Sequence, residues 1–466
     1  MDTKQSNAWL QKSLFSAFVL LSSAQGLLAQ NIEIKQPRYV EGYSKTDSDT
    51  SGSTHKKIKH IPIGTGKIYI SLGGELRYQY FRYKNPGWGT EPRDNDGFVL
   101  TRFLSHTDIH LGKQIRVFAQ LQSSLIAGSN SQNSPVDENP LDVHQLFIKL
   151  PLIAKMQKQL VFEIGRQELS YGSQRLISIR EGPNNRQAFD AFRVVFSQKQ
   201  VRTDLFYSTY VNAGKKIFDE RFFDHSRQLW GYYLTLTPTT SVPNMDLYYL
   251  GVKNQAIFID ASGTERRHST GTRIWKKAGI TDYDFEAVYQ FGNISRLPIR
   301  AWTISLNISS KLKSIPFAPV FGLKTELISG DKRPDDHLLN TFNPLYPRGA
   351  YFGLASLIGP YNLYDFHPYI QIGIGRTLTW SADFDFFWRM SRYDGLYAVN
   401  GKILSDRVTV GYKHIGNQSG TNLSFHANSL FNLGIEFTWF DSGQFLRQAG
   451  MKKDIYLAGI TATLKY

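Results

Sequence analysis

The sequence predicts an all-β fold, a transmembrane antiparallel β-barrel of about 18 strands with short periplasmic turns and long extracellular loops. Three observations carry this expectation. The chain opens on an export signal, no later stretch is apolar for long enough to form a membrane helix, and the final twelve residues alternate with a period of two and stop on Tyr466. In that last segment Tyr456, Ala458, Ile460, Ala462, Leu464 and Tyr466 share one face, while Gly459, Thr461, Thr463 and Lys465 share the other. Successive side chains of a strand point to opposite faces, so one side is oily and the other mostly polar. An exported chain that closes on such a strand points to the outer membrane of a bacterium.

Residues 1–29 read as a signal peptide. Lys4 and Lys12 supply positive charge, residues 14–21 form a short apolar run, and cleavage contexts lie near Ala24 and Ala29. Residues 30–66 are polar and irregular, rich in Ser, Thr, Asp and Lys, and read as a flexible periplasmic segment. This segment is too short for the plug domain of an energised receptor. Residues 67–466 form the barrel.

Strand-like windows fall near 68–83, 98–111, 114–125, 143–151, 160–169, 188–197, 201–210, 229–237 and 246–254. Nine more fall near 268–276, 282–291, 299–310, 317–328, 366–375, 379–390, 407–414, 431–440 and 454–466. Their faces separate cleanly. Ile68, Ile70, Leu72, Leu76, Tyr78 and Tyr80 oppose Ser71, Glu75, Arg77 and Gln79. Tyr283, Phe285, Ala287, Tyr289 and Phe291 oppose Asp284, Glu286 and Gln290; Ala382, Phe384, Phe386 and Trp388 oppose Ser381, Asp383, Asp385 and Arg389. Connections alternate between long (84–97, 127–142, 170–187, 211–228, 329–365) and short (112–113, 198–200, 376–378), as an even-stranded barrel with both ends in the periplasm requires. Two connections break the rule: 292–298 is short where a long one belongs, and 415–430 is long where a short one belongs. Eighteen strands is therefore the best count, with sixteen as the alternative. Either leaves an aqueous lumen.

The chain has no cysteine, so backbone pairing and packing must hold the exported protein together. Aromatic residues make up 14 %, suited to interfacial girdles. The net charge of +15 points to an anionic partner. Export and barrel patterning exclude nucleic acid, leaving lipopolysaccharide, an acidic polysaccharide or a small anionic solute.

The densest charge lies between residues 163 and 193, where Arg166, Arg175, Arg180, Arg186 and Arg193 alternate with Glu168, Glu181 and Asp190. Guanidinium groups stay charged at any working pH and grip carboxylates with a planar fork. Further inward-face candidates are Glu75, Arg77, Arg116, Lys324, Glu326, Asp383, Asp385, Arg389 and Lys413. A mid-membrane Arg or Lys on the lipid face costs about 2–4 kcal/mol, so strand charges belong in the lumen. Parity does not orient Arg166 and Asp190, because Phe162 and Ile164 share the face of Arg166.

Enzyme-like patterns do not hold up. His106 and His110 share a face but stand about 13 Å apart along a strand, too far for one metal ion. Asp383 and Asp385, about 7 Å apart, lie near a glycosidase spacing, yet beside Arg389 they read as a charge ladder. No catalytic residues, cofactor or metal site are predicted, although the loop acids leave room for a structural calcium ion.

Several ordered segments resemble the alginate-export family of outer-membrane barrels, in its broader bacterial branch. The resemblance covers about residues 95–466. It rests on RVFAQLQS at Arg116, GRQELSYGSQRLISIREGPNNRQAFDAFR at Gly165, RRHSTGTRIW at Arg266 and YDFEAVYQFG at Tyr283. FNPLYPRGAYFG at Phe342, FDFFWRMSRYDGLY at Phe384 and GQFLRQAG at Gly443 follow in the same order. The resemblance implies a monomeric eighteen-stranded barrel with an arginine-rich constriction selecting acidic sugars such as polyuronate. Its GRQ-x-L motif carries that expectation onto Arg166, and its D-x-x-R step onto Asp190 and Arg193. REGPNNRQ departs from the dedicated alginate exporter. The expected function is passage of anionic solutes, acidic polysaccharide or oligosaccharide, through this lumen. A general diffusion porin is the alternative.

Overall fold

The computed structural model describes residues 38–40, 54–64 and 67–466, apart from 93–95, 113–114, 131–133, 240, 278, 334–335, 354 and 407–410. The signal peptide predicted at 1–29 lies outside the described residues.

Eighteen antiparallel strands close into a barrel: β1 (Ile68–Lys84), β2 (Phe98–Leu111), β3 (Ile115–Ala127), β4 (Asn139–Lys155), β5 (Lys158–Gln167), β6 (Phe189–Gln198), β7 (Val201–Tyr210), β8 (Gln228–Leu236) and β9 (Asn244–Ile257). The second half comprises β10 (Ser262–Lys277), β11 (Thr281–Ile294), β12 (Leu297–Lys311), β13 (Val320–Ile328), β14 (Leu363–Ile374), β15 (Leu378–Arg389), β16 (His414–His426), β17 (Phe431–Ser442) and β18 (Ile455–Lys465). Each pairs with its sequence neighbours, and β18 closes on β1 from Glu75↔Lys465 to Lys84↔Tyr456. Closure satisfies the backbone polar groups that an open sheet edge would expose to lipid.

Burial is inverted relative to a water-soluble protein, and this settles which face is outside. Leu121, Leu146, Phe192, Leu205, Phe285, Phe366, Phe437 and Ile460 are exposed on the outer wall. Glu75, Arg102, Asp108, Arg193, Asp204, Glu286, Glu326 and Asp385 are buried within. Near the external rim, Tyr364 stacks on Trp388 and Trp439 on Tyr456, with ring centroids 5.0 and 6.4 Å apart. Such amphipathic rings suit the headgroup level.

The sixteenth strand is a correction. The sequence predicts it at 407–414, of which 407–410 lie outside the described residues, whereas it runs over His414–His426. Residues 416–424, GNQSGTNLS, are polar or small on both faces except for Leu423, so they carry almost no period-two signal. Register identifies them instead, from Gly416↔Phe387 to Phe425↔Leu378 on one side and Gly416↔Ser442 to His426↔Asn432 on the other. The shift removes one irregular connection: 390–413 is a long external loop and 427–430 a short turn. The other stands, since only 295–296 joins β11 to β12 at the external end.

The lumen is not an open bore. The described residues of external loops 168–188, 329–362, 390–413 and 443–454 fold inward around an apolar cluster that includes Leu176, Ile177, Phe342, Tyr346, Phe352, Tyr397, Phe445 and Leu446. Eighteen strands enclose more space than wall side chains can fill. Loop residues occupy it, and burying them offsets the cost of ordering long loops.

Two pieces of the segment predicted as a flexible arm also pack against the barrel. Arg38 donates to the Gly74 and Tyr466 carbonyls at 3.1 and 3.0 Å, and Lys59 donates to the Leu72 and Tyr466 carbonyls at 2.9 and 3.1 Å. Gly74 is required at this seam, where a Cβ would strike the Leu104 carbonyl and the Tyr466 ring. Ile61–Ile63 pairs with Ile68–Ile70.

Candidate functional site

Most strand charges predicted on the lumen face stand there, and nearly all find partners. Arg77 donates to the Glu181 and Pro183 carbonyls at 2.9 and 2.7 Å, which ties loop 168–188 to β1. Beside it Arg102 bridges Glu75, at 2.5 Å, and the Glu181 carboxylate. Arg186 lies 3.1 Å from both Glu168 and Glu181, and His144 lies 2.8 Å from Glu168. Glu181, held by these guanidinium groups, is the hub of the chain of charges. Arg193 joins Glu163, at 3.2 Å, to Asp204. Arg175 joins Glu326, at 2.6 Å, to Glu286, at 3.3 Å. Arg116 pairs with Asp108 at 2.6 Å near the periplasmic end.

Asp383 and Asp385 flank His367, at 3.1 and 3.0 Å. Arg389 donates to the carbonyls of Arg392, Asp394 and Tyr412 and lies 3.9 Å over the Phe445 ring, so it anchors loops 390–413 and 443–454. Lys413 donates to the Met390 carbonyl at 3.0 Å within the same loop. Lys324 lies 4.9 Å over the Tyr369 ring, in a lumen cavity of about 260 Å³ that also takes Arg348, Arg273 and Asp284.

Arg166 and Asp190 are a second correction, because they do not line the lumen. Arg166 stands opposite Leu146 and Asp190 in register, and Leu146 is an exposed outer-wall residue. Directly opposed residues share a face, so the pair lies on the outer wall. It is buried because loop 211–227 folds over it. Arg166 bonds Asp190 at 2.9 Å and Glu220 at 2.8 Å, with the Phe222 ring 4.1 Å away. The Phe223 amide donates to Asp190 at 2.8 Å, and its ring stacks on outward-facing Phe192. One guanidinium serves several carboxylates here, including Asp142 at 3.9 Å. Burial and the charge of Asp142 outweigh Arg166 and push the Glu220 carboxyl up to about 8.

The lining of one larger cavity, of about 560 Å³, was not apparent from the sequence. It lies under the external loops between the end of β9 and residues from loops 168–188, 211–227, 329–362 and 390–413. Arg180, Arg227 and Lys402 line it together with the amides of Asn254, Gln255, Asn343 and Asn400 and the rings of Phe258, Tyr346 and Tyr361. None of its described lining residues is acidic. Arg180 donates to the Tyr210 hydroxyl and to Gln187 at 3.2 and 2.6 Å, and Arg227 rests 5.5 Å from the Tyr210 ring. Of these cations only Arg180 belongs to the predicted set. Arg227 and Lys402 sit in loops without a periodic pattern, so nothing local marked them. Arg102 could have been found, since it shares the parity of inward-facing His106 and Asp108.

Several solved outer-membrane proteins share this architecture. Pseudomonas aeruginosa OccK3 (OpdO) aligns with a TM-score of 0.55 at 11 % identity, covering 85 % of this chain and 95 % of its own. OpdK of the same organism, solved with vanillate, gives 0.57 at 10 % identity over 85 % and 98 %. P. aeruginosa OccD3 (OpdP) gives 0.58 at 11 % identity over 88 % and 93 %. At these identities the likeness is one of fold. No curated protein matches the chain. The alginate export family model matches residues 68–459, the whole barrel but for the last residues of β18. A closed eighteen-stranded barrel, oily outside and polar within, is thus an outer-membrane channel, and the chain belongs to the alginate export family.

Proposed function

We propose that this channel passes anionic, carbohydrate-like solutes, with Arg180, Arg227 and Lys402 as their first contact on the external side. The observation that carries the reading is the cavity under the external loops, where three cations, four amides and three aromatic rings converge without an acid among the described residues. Cations attract carboxylates, amides bond hydroxyls, and rings cover the apolar face of a sugar. Its volume falls within the roughly 300–1,000 Å³ of small-molecule sites, which favours a short acidic oligosaccharide over a thick polymer. The paired arginines farther along the lumen would let the solute move on, since conduction requires binding that is weak enough to release. At physiological salt the Debye length is about 8 Å, so a cavity this narrow keeps its field. The channel acts as a monomer, and the excess positive charge of the chain suits contact with lipopolysaccharide.

Planar-bilayer recording tests the proposal. Wild-type protein should show an anion-selective reversal potential in a salt gradient and concentration-dependent block by oligouronates. Arg180→Gln, Arg227→Gln and Lys402→Gln together should move the potential toward zero and weaken the block about tenfold. An unchanged potential and unchanged block would favour a general diffusion porin, a reading that the ion pairing of Arg102, Arg175, Arg186 and Arg193 also supports.

A further inference from the structure

We propose that Asp365, His367 and Asp385 form a divalent transition-metal site in the lumen wall. Asp365 and His367 project inward from β14 and Asp385 from neighbouring β15, and all three are buried. One donor atom from each lies within 4.8 Å of the other two, close enough for a single ion to reach all three. The assignment does not depend on the anion reading.

A second observation separates this group from an ordinary acidic cluster. Asp385 is fully buried and Asp365 is 3 % exposed, yet the Oδ1 atom of each has no hydrogen-bond partner among the described residues. Leaving a buried carboxylate oxygen unpaired is costly, and buried charges are ordinarily paired or bound to metal. Glu326, across the register from Asp365, offers no relief, because Arg175 and the Tyr351 hydroxyl already satisfy it.

The histidine is arranged as a ligand. Its Nε2 faces Asp383 at 3.1 Å and its Nδ1 faces Asp385 at 3.0 Å. With metal, Nδ1 binds the ion on the side where Asp385 stands, while Nε2–H donates to Asp383. Metal-bound histidines are commonly oriented by a carboxylate on the far nitrogen. One imidazole and two carboxylates suit Zn²⁺ or Mn²⁺ better than Ca²⁺, which takes six to eight oxygens. Three protein ligands leave coordination open toward the 260 Å³ cavity, which Asp365 and His367 line beside Lys324 and Arg348. A bound ion would add positive charge where the lumen otherwise collects acids.

Isothermal titration of detergent-refolded, chelator-stripped protein with ZnCl₂ tests this, with CaCl₂ as the control. Wild type should bind one equivalent of Zn²⁺ and should prefer it over Ca²⁺. Asp365→Asn with Asp385→Asn should abolish the binding. Asp383→Asn, which leaves every proposed ligand in place, should weaken it about 10–100-fold. Heat-modifiable migration on gels checks that each variant has folded. Absence of binding to wild type, or the same stoichiometry and affinity in the double variant, overturns the site. Should the double variant fail to refold, the Co²⁺ absorption of wild type decides. Intense four- or five-coordinate bands support the site, and the weak band of hydrated Co²⁺ overturns it.

Discussion

The ion-pair belt of the lumen and the cavity under the external loops use the same cationic chemistry to different ends. In the belt Arg102, Arg175, Arg186 and Arg193 each lie within 2.5–3.2 Å of a carboxylate, and each serves two. In the cavity Arg180, Arg227 and Lys402 meet tyrosine, glutamine and open space, with no acid among the described lining residues. A guanidinium shared by two buried carboxylates presents no positive charge to a passing anion. It holds loop to wall. A cation among amides and rings keeps its charge for a ligand. Arginine density is therefore a poor guide to anion selectivity, and the local balance of charges is the better one.

The largest effect should come from breaking the belt. Arg193→Ala removes the buried cation that Glu163 and Asp204 share, leaving them only the more exposed Lys149 and Arg202, and should cost up to about 3 kcal/mol, measured by urea unfolding of the refolded barrel in detergent. If this variant keeps its stability but loses anion preference, the distinction between belt and cavity fails. Glu181→Gln probes the belt from the other side. It removes the acid shared by Arg102 and Arg186, so anion preference in bilayer recordings should rise while the barrel stays folded.

A smaller effect concerns loop 211–227 on the outer wall. The Glu220 carboxyl sits above its ordinary value near 4.5, at about 8, chiefly through burial. A raised carboxyl favours the docked loop while it is protonated. Docking should be strongest below about pH 4.5 and weaken as pH rises through about 8. Protection factors across residues 211–227, from which the base-catalysed rise of intrinsic exchange is divided out, should fall over that window, and Glu220→Gln should flatten the dependence. The least effect belongs to Arg202, whose side chain is 53 % exposed beside Asp204. Arg202→Ala should change stability by less than about 1 kcal/mol, and a larger loss would show that the belt extends beyond the buried lumen.

Legibility in the sequence followed periodicity. Glu75, Arg77, Asp383, Asp385 and Arg389 were readable as inward because apolar neighbours of opposite parity fixed their faces. The strand at His414–His426 was not readable, because its residues 416–424 are polar or small on both faces apart from Leu423. Parity alone left Arg166 unoriented, and register puts it on the outer face that it shares with Ile164. Its burial comes from a loop some fifty residues away, and no local pattern announces that. Asp365 and His367 were missed in part because Asp365 was read as the end of a loop.

The sequence by itself determined the barrel, its strand faces and most of the strand count, because a period of two is a local property that each strand carries alone. Only the tertiary structure decided where the external loops go and which charges meet. The Glu181 carboxylate finds Arg102 across 79 residues, and Glu326 finds Arg175 across 151. Such contacts depend on how space inside a closed cylinder is shared, and that is settled only when every strand is in place.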